Sequence, residues 1–430
     1  MKPKKSLQIG KGSLLAALDI GSSKIACFIA RIIDDQGTFE VLGVGHHASA
    51  GVKGGTITDL DRAEAAIRQT VHAAENMAAD VMKGYPLREV VVNLPGVHAM
   101  SHGHTSDVSV AGHEITDNDI CRALAKAQDQ VISEDYELVH TIPIGFRIDG
   151  SEGIVDPRGM VGQNMSTDIH IVTGDIAALR NIATCIERSH LDITAFGHAA
   201  YAAGLASLVE DEMDLGCTVI DMGAGTTSFA VFQGGNILYS DSIPIGGAHV
   251  TSDIAKGLVT PLQDAERLKA LYGSAIASHN DENELIDVPR LGEDPSTEPN
   301  HVPRSLLVGI IQPRVEEILE LVRARLNDSG LGTAIGRRVV LTGGASQLNG
   351  IRDLAEHVLD KQVRLGKPIR LSGLPDAVSG PGFATVAGLL AYIAEHSHEM
   401  PAEIMAHAAP GSFMERAKLW LRCAATPISA

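Results

Sequence analysis

The chain has 430 residues, with 53 acidic side chains against 35 basic ones and a formal net charge of −18. That is roughly three domains' worth of chain, and 44% hydrophobic with 20% charged residues is the composition of a folded protein. The acidity argues against a general nucleic-acid binder, whose affinity rests on Lys and Arg neutralising phosphates, and aromatics at 3% require an aliphatic core.

In chain order, a basic start (residues 1–12) precedes an apolar run from Leu14 to Arg31 that is broken by the small polar turn Gly21-Ser22-Ser23, which predicts a β-hairpin. Leu60 to Met82 has helical spacing, with Asp59 or Asp61 as cap. Glu89 to Asn93 reads as a strand stopped by Pro95-Gly96. Residues 88–172 read as an inserted α+β unit, with strand alternation near Asp107–Ala111 and a helix from about Thr116 to Ile132. Helices are expected over Asp175–Ser189 and, built of small residues, over Ala199–Val209. Val219 to Phe232 then repeats the first hairpin: apolar strand, Asp-x-Gly, hydroxyl residues, apolar strand. The two Asp residues, Asp19 and Asp221, lie too far apart for a solenoid period, so a whole domain is duplicated. Helices follow at Thr260–Tyr272 and Ser305–Leu326, separated by an acidic stretch with a short strand at Leu285–Val288. The strand Val339–Leu341 runs into Thr342-Gly343-Gly344-Ala345-Ser346, and an apolar helix over Gly382–Ala394 closes the folded part.

Cys27, Cys121, Cys185, Cys217 and Cys423 lie far apart with no C-x-x-C pair, the pattern of buried thiols in a reducing compartment. The basic start lacks the apolar core of a signal peptide, and the Gly382–Ala394 stretch is shorter than the about 20 residues that span a bilayer. The main mass is therefore expected to be cytosolic.

Two Asp-bearing hairpins and a strand–Gly-Gly turn form a phosphate-binding set. A polyphosphate needs backbone amides at close range, which small residues allow, and a metal that carboxylates position through water. Gly21, Ser22, Ser23 and Lys24 supply amides, hydroxyls and charge in the first hairpin. Gly223, Gly225, Thr226 and Thr227 do so in the second. Asp19 and Asp221 are the candidate outer-sphere Mg²⁺ groups, and Gly343 with Gly344 suits the approach to an adenosine or α-phosphate. Any one of these turns alone is an ordinary turn; their order together is the signal.

That order resembles the actin/Hsp70/hexokinase ATPase superfamily and, within it, the FtsA family of bacterial cell division proteins. Leu18 to Lys24 resembles the phosphate-1 motif, Ile220 to Thr227 phosphate-2, Leu341 to Leu348 the adenosine motif including Ala345, and Pro381 to Leu389 the second connecting helix. Ala265-Glu266-Arg267-Leu268-Lys269 is similar to the nucleotide-contacting helix, and the resemblance directs Glu266 and Lys269 at the adenosine. Without the resemblance the pair reads as a surface ion pair of little worth. The implied fold is α/β: two actin-like lobes of duplicated ribonuclease-H-like domains, an inserted SHS2-like subdomain at 88–172 and a C-terminal amphipathic helix. The first lobe would comprise 13–87, 173–214 and 382–395. The second would comprise 215–250 and 336–381, with a subdomain at 251–335 that resembles the part binding the tubulin-like FtsZ. The resemblance implies ATP and Mg²⁺ as cofactors, self-association into polymers, FtsZ and later division proteins as partners, and a peripheral place on the cytoplasmic side of the inner membrane.

One departure bears on catalysis. Hydrolysing members carry a Glu or Gln on the first connecting helix to orient water, and the matching Gly197 to Leu205 has neither, His198 being the nearest polar side chain. ATP binding with slow or absent hydrolysis is the expectation. His98, His102 and His104 read as a polar loop with no Cys or carboxylate close by, a weak case for a metal.

After a linker at 396–411, Pro410-Gly411 and Ser412 introduce a last helix at 412–430. Phe413, Met414, Ala417, Trp420 and Leu421 fall on one side, and Lys418, Arg422, Glu415 and Arg416 occupy the rest. Trp and Phe suit the headgroup boundary and the cations suit anionic lipid, whereas the plain alternative is a helix packed on its own domain. Residues 1–11 carry four Lys and no acid, so the cations gather at the two ends of an acidic body. A type IV pilus adaptor of the same fold and a small-molecule kinase are the competing readings, and neither accounts for such a tail.

Overall fold

The computed structural model describes residues 11–34, 38–131, 133–292, 299–369 and 371–396. The membrane-helix residues expected at 412–430, Trp420 among them, and Cys423 lie outside the described residues.

Two five-stranded sheets share one topology. The first has the order Asp192–His198, Glu89–Leu94, Leu14–Ile20, Lys24–Ile32, Phe39–Ala48. The second has the order Gln362–Leu365, Arg338–Thr342, Cys217–Met222, Thr227–Gln233, Asn236–Ile243. In each, the Asp-bearing strand pairs antiparallel with the next strand and parallel with one from later in the chain. The duplication is thus of topology as well as of motif.

The central strands are mostly apolar on both faces because both sheet faces are covered. In the first sheet Leu15, Ala17, Ala26 and Phe28 face a central core shared with the helices Ala199–Ser207 and Ala384–His396. The alternate residues Ala16, Leu18, Ile25 and Cys27 face the helices Leu60–Met77 and Ile176–Arg188. In the second sheet Cys217, Val219, Ala230 and Phe232 turn to the same central core, while Ile220, Met222, Phe229 and Val231 turn to an outer core with the Arg304–Asp328 helix. Two helices therefore form the middle layer between the sheets.

Capping explains the boundaries. The Asp59 carboxylate accepts from the Arg62 N–H at 3.1 Å and starts Leu60–Met77, and Asp175 accepts from the Ala178 N–H at 2.7 Å and starts Ile176–Arg188. The helix expected to run to Met82 is instead two, Leu60–Met77 and Ala79–Met82, meeting at Ala78.

The inserted unit is a four-stranded antiparallel sheet in the order Ala99–Ser109, Asn164–Asp175, Tyr136–Ile148, Ser151–Ile154, with the Asp117–Val131 helix against it. The boundary expected at 88 is corrected: Glu89–Leu94 hydrogen-bonds inside the first sheet, so the unit begins after it. His102 and His104 are likewise corrected from loop to strand, within Ala99–Ser109. Cys27, Cys185 and Cys217 are buried, whereas Cys121 is exposed on the helix of the inserted unit, against the expectation of buried thiols. Among the described residues no helix is long and apolar enough to cross a membrane.

Candidate functional site

A cleft of about 790 Å³ is lined by both sheets and by the starts of both central helices. The two Asp-bearing hairpins meet there with the same turn. The Gly21 N–H donates to the Lys24 carbonyl at 3.1 Å and the Gly223 N–H to the Thr226 carbonyl at 3.0 Å. Both amides are consumed by the turn, which corrects the expectation that Gly21 and Gly223 offer them to a ligand. Ser22, Ser23, Ala224, Gly225 and Thr226 remain on the cleft wall. Thr227 is corrected as well: it is fully buried, its hydroxyl donates to the Ile245 carbonyl at 2.8 Å, and strand alternation turns Ser228 to the cleft instead.

Asp19 and Asp221 are each next to last in their strands, in register with Ala26 and Ser228. Burial, then the charge of Asp221, raises the Asp19 carboxyl to about 7, with Lys24 opposing. Asp221 is also raised by burial, opposed by the Thr385 hydroxyl, which donates to it at 2.8 Å, and by Lys24. Burial lowers the Lys24 ammonium, which sits 3.3 Å from the centre of the Phe383 ring. Two carboxylates facing one lysine in a desolvated place leave a deficit of positive charge, and a hydrated divalent cation suits that donor set.

Gly343 to Ala345 follow the Arg338–Thr342 strand into the cleft. Gly343 has φ +86°, and a Cβ there would lie 2.3 Å from Asp221 Oδ1, so only glycine lets the backbone pass this close to the carboxylate. Opposite, Glu266 and Lys269 of the Leu262–Tyr272 helix line the wall. The Lys269 ammonium donates to Glu266 at 2.7 Å, to the Thr251 hydroxyl at 2.7 Å and to the Gly247 carbonyl at 3.1 Å. Val315, Ile318, Leu348 and Ile351 add an apolar part to the lining, so one cavity has a charged region and an apolar region.

Of the expected residues, Asp19, Gly21, Ser22, Ser23, Lys24, Asp221, Gly223, Gly225, Thr226, Glu266, Lys269, Gly343, Gly344 and Ala345 all line this one cleft. Asn93, Gly247, Ala248, Arg304 and Thr385 were not among them and line it too. Asn93 accepts from the Ile20 N–H at 2.8 Å. The amides of Gly247 and Ala248 donate to the carbonyls of Gly223 and Ala224 at 2.9 and 2.8 Å, bracing the second turn. Thr385 stands inside the quoted connecting-helix motif, but the others have no local signature, because each is brought in by a distant strand or helix.

The first connecting helix begins at Ala199, and this methyl lines the cleft where the expectation sought a water-orienting side chain. His198 is buried and is not part of the cleft wall; its backbone N–H donates to His140 Nε2 at 2.9 Å, and His140 Nδ1 meets the Tyr392 hydroxyl at 3.0 Å, joining the inserted unit to the central helices.

Two family models match: "Cell division protein FtsA" over residues 218–388 and "SHS2 domain inserted in FTSA" over residues 96–173. The cell division protein FtsA of Rhizobium meliloti is 42% identical over 397 residues, covering 90% of this chain and 89% of that protein. That of Escherichia coli K12 is 32% identical over 419 residues, covering 95% and 97%. Among solved structures, the PilM-PilN type IV pilus biogenesis complex is similar with TM-score 0.64 at 15% identity, covering 89% of this chain and 98% of that one. MreB5 of Spiroplasma citri bound to ADP is similar with TM-score 0.52 at 13% identity, covering 88% and 95%. These two likenesses are of the actin-like fold.

Proposed function

The chain belongs to the FtsA family of cell division proteins, and from that membership we propose that it is an actin-like, ATP-binding protein that self-associates on the inner membrane and tethers FtsZ filaments there. The observation that carries the nucleotide part is the convergence of both Asp-Gly hairpins and the Gly343–Ala345 turn on one cleft with a charged region and an apolar one. Ser22, Ser23, Ala224, Gly225, Thr226 and Lys24 would hold the polyphosphate, and Glu266, Lys269, Gly344 and Ala345 the nucleoside. Asp19 and Asp221 would position a hydrated Mg²⁺, which when bound supplies the charge neutralisation the triphosphate requires. Ala199 supports the expectation of slow or absent hydrolysis, since a methyl cannot orient water.

The membrane part rests on the sequence of 412–430, with Phe413, Trp420 and Leu421 on one side and Lys418 and Arg422 on the other. A single short helix binds a bilayer weakly. Polymerisation would present many at once, and avidity then exceeds the single-site affinity by orders of magnitude. Later division proteins would be met through the inserted unit and FtsZ through residues 251–335. The identities of 42% and 32% with FtsA proteins, against 15% for the pilus complex, favour this over a pilus adaptor.

Co-sedimentation of the full chain with FtsZ and anionic liposomes, with and without ATP, tests the proposal. FtsZ should pellet with the liposomes only when the protein is present, more so with ATP, and deletion of 412–430 should leave both in the supernatant. FtsZ recovery independent of this protein, or of its tail, would overturn it.

A further inference from the structure

A small hairpin, formed by Val52–Lys53 and Thr56–Ile57, stands where the first sheet hands over to the Leu60–Met77 helix. Its tip, Gly54-Gly55, reaches both phosphate hairpins. On the first-lobe side, the Gly55 N–H donates to the Ser22 hydroxyl at 3.0 Å. On the second-lobe side, the approach is backbone to backbone: a Cβ on Gly225 would lie 2.8 Å from Gly54 Cα, 3.0 Å from Gly54 N and 2.5 Å from Ser22 Oγ. Such distances leave no room for a side chain on Gly225, whereas a Cβ on Gly54 would meet nothing within 4 Å and glycine serves there for its left-handed backbone, φ +59°. The base of the tip is held in turn, since the Thr56 hydroxyl lies 2.9 Å from His98 Nε2 at the start of the inserted unit.

We propose that the Gly54-Gly55 tip is a clasp joining the two phosphate hairpins, so that it holds the lobes together at the polyphosphate end of the cleft and slows nucleotide release. The retention half of this rests on the reading of the cleft as an ATP site, whereas the joining half does not. Backbone contact gives the clasp its character: a methyl at Gly225 meets the Gly54 backbone as well as the Ser22 hydroxyl, so swinging the Ser22 side chain aside does not relieve it and the hairpin itself must lift. Loss of the Ser22 hydroxyl removes the opposite anchor while adding no volume.

Two measurements on the full chain separate the halves. Hydrogen exchange of the peptide spanning residues 51–58, without nucleotide, should be at least about tenfold faster in Gly225→Ala than in the natural protein, the size expected when overpacking displaces a tight contact. Ser22→Ala should accelerate it about fivefold, the worth of one hydrogen bond. Release of a fluorescent ATP analogue into excess ATP is read in Thr56→Val, which frees the base of the tip from His98 and alters neither phosphate hairpin; exchange of residues 51–58 and analogue release should both quicken in it. Natural-rate exchange in Gly225→Ala and Ser22→Ala overturns the clasp, whatever the cleft binds. Faster exchange with unchanged nucleotide release overturns its retention role. Should the natural protein bind no ATP analogue, the cleft reading and the retention role fall together, and the exchange arm still judges the contact. If Gly225→Ala does not fold, Ser22→Ala carries the same comparison.

Discussion

Gly388 lies in the Ala384–His396 helix where it crosses Ala199–Ser207, and a Cβ built on it would stand 1.6 Å from the Ala202 carbonyl oxygen, 2.3 Å from its carbon and 2.9 Å from Ala202 Cα. Ordinary contact begins near 3.4 Å, so Gly388→Ala requires the two helices to separate by about 1.8 Å, the difference between 3.4 and 1.6 Å. The obstacle is backbone on a fully buried helix, flanked by Leu389, Leu390 and Tyr201, and no rotamer change relieves it. A gap of even 1 Å forfeits up to half the dispersion energy of the atoms lining it, which places the substitution at the upper end of overpacking costs, about 3 kcal/mol. For lobes of this size that lowers the melting midpoint by roughly 6–12 °C. The control is the same chemical change at Gly309, exposed in the Arg304–Asp328 helix with nothing within 4 Å of its Cβ position. Gly309→Ala should raise stability by about 1 kcal/mol, because alanine is the better helix former. Circular dichroism melts of the two variants read both signs. A Gly388→Ala melt within a degree of the natural protein would refute the central-layer argument.

His140, His170 and His198 are buried and held neutral: burial lowers His198 to about 4, His170 to about 3 and His140 well below the usual value. Their folded pKa values lie below the unfolded value of about 6.5, so their contribution is complete above that pH and is lost as pH falls, each costing about 1.4 kcal/mol by pH 5.5. Asp19, raised to about 7, works in the opposite sense over that range. The histidine share is isolated with His170→Leu, whose urea stability relative to the natural protein should improve by about 1.4 kcal/mol on going from pH 7.5 to 5.5; parallel losses in the two proteins would contradict it. At the site, Gly343→Ala places a methyl 2.3 Å from Asp221 Oδ1 at a backbone angle (φ +86°, ψ 164°) that is essentially glycine's alone. Calorimetric titration with Mg·ATP should show affinity reduced at least about tenfold, and natural affinity would remove Gly343 from the nucleotide wall.

Much of the first lobe could be read from the chain because its signals are local. The run Leu14 to Leu18 is apolar at every position, which marks a strand covered on both faces, and the turn at Gly21–Ser23 has a composition that strands do not tolerate. The same signals recur at Val219 to Phe232, and their recurrence, rather than either copy, pointed to a cleft between duplicated halves. The inserted unit was visible as α+β but not in its limits, since Glu89–Leu94 looks like any strand and only pairing with Leu14–Ile20 and Asp192–His198 assigns it to the first sheet.

Sequence by itself determined which residue types can meet a phosphate: small ones at close range, with an Asp near the end of each strand. It did not determine which atoms of those residues are free to do so. The Gly21 and Gly223 amides turn inward to Lys24 and Thr226, and Thr227 faces its own core, because turn closure and strand alternation act on atoms rather than on residue types. Only the tertiary structure brought in Asn93, Gly247 and the Gly54-Gly55 tip, each distant in sequence from the hairpin it supports, and placed Arg304 on the cleft wall. Their places follow from packing two sheets across one pair of helices, a geometry that no local pattern encodes.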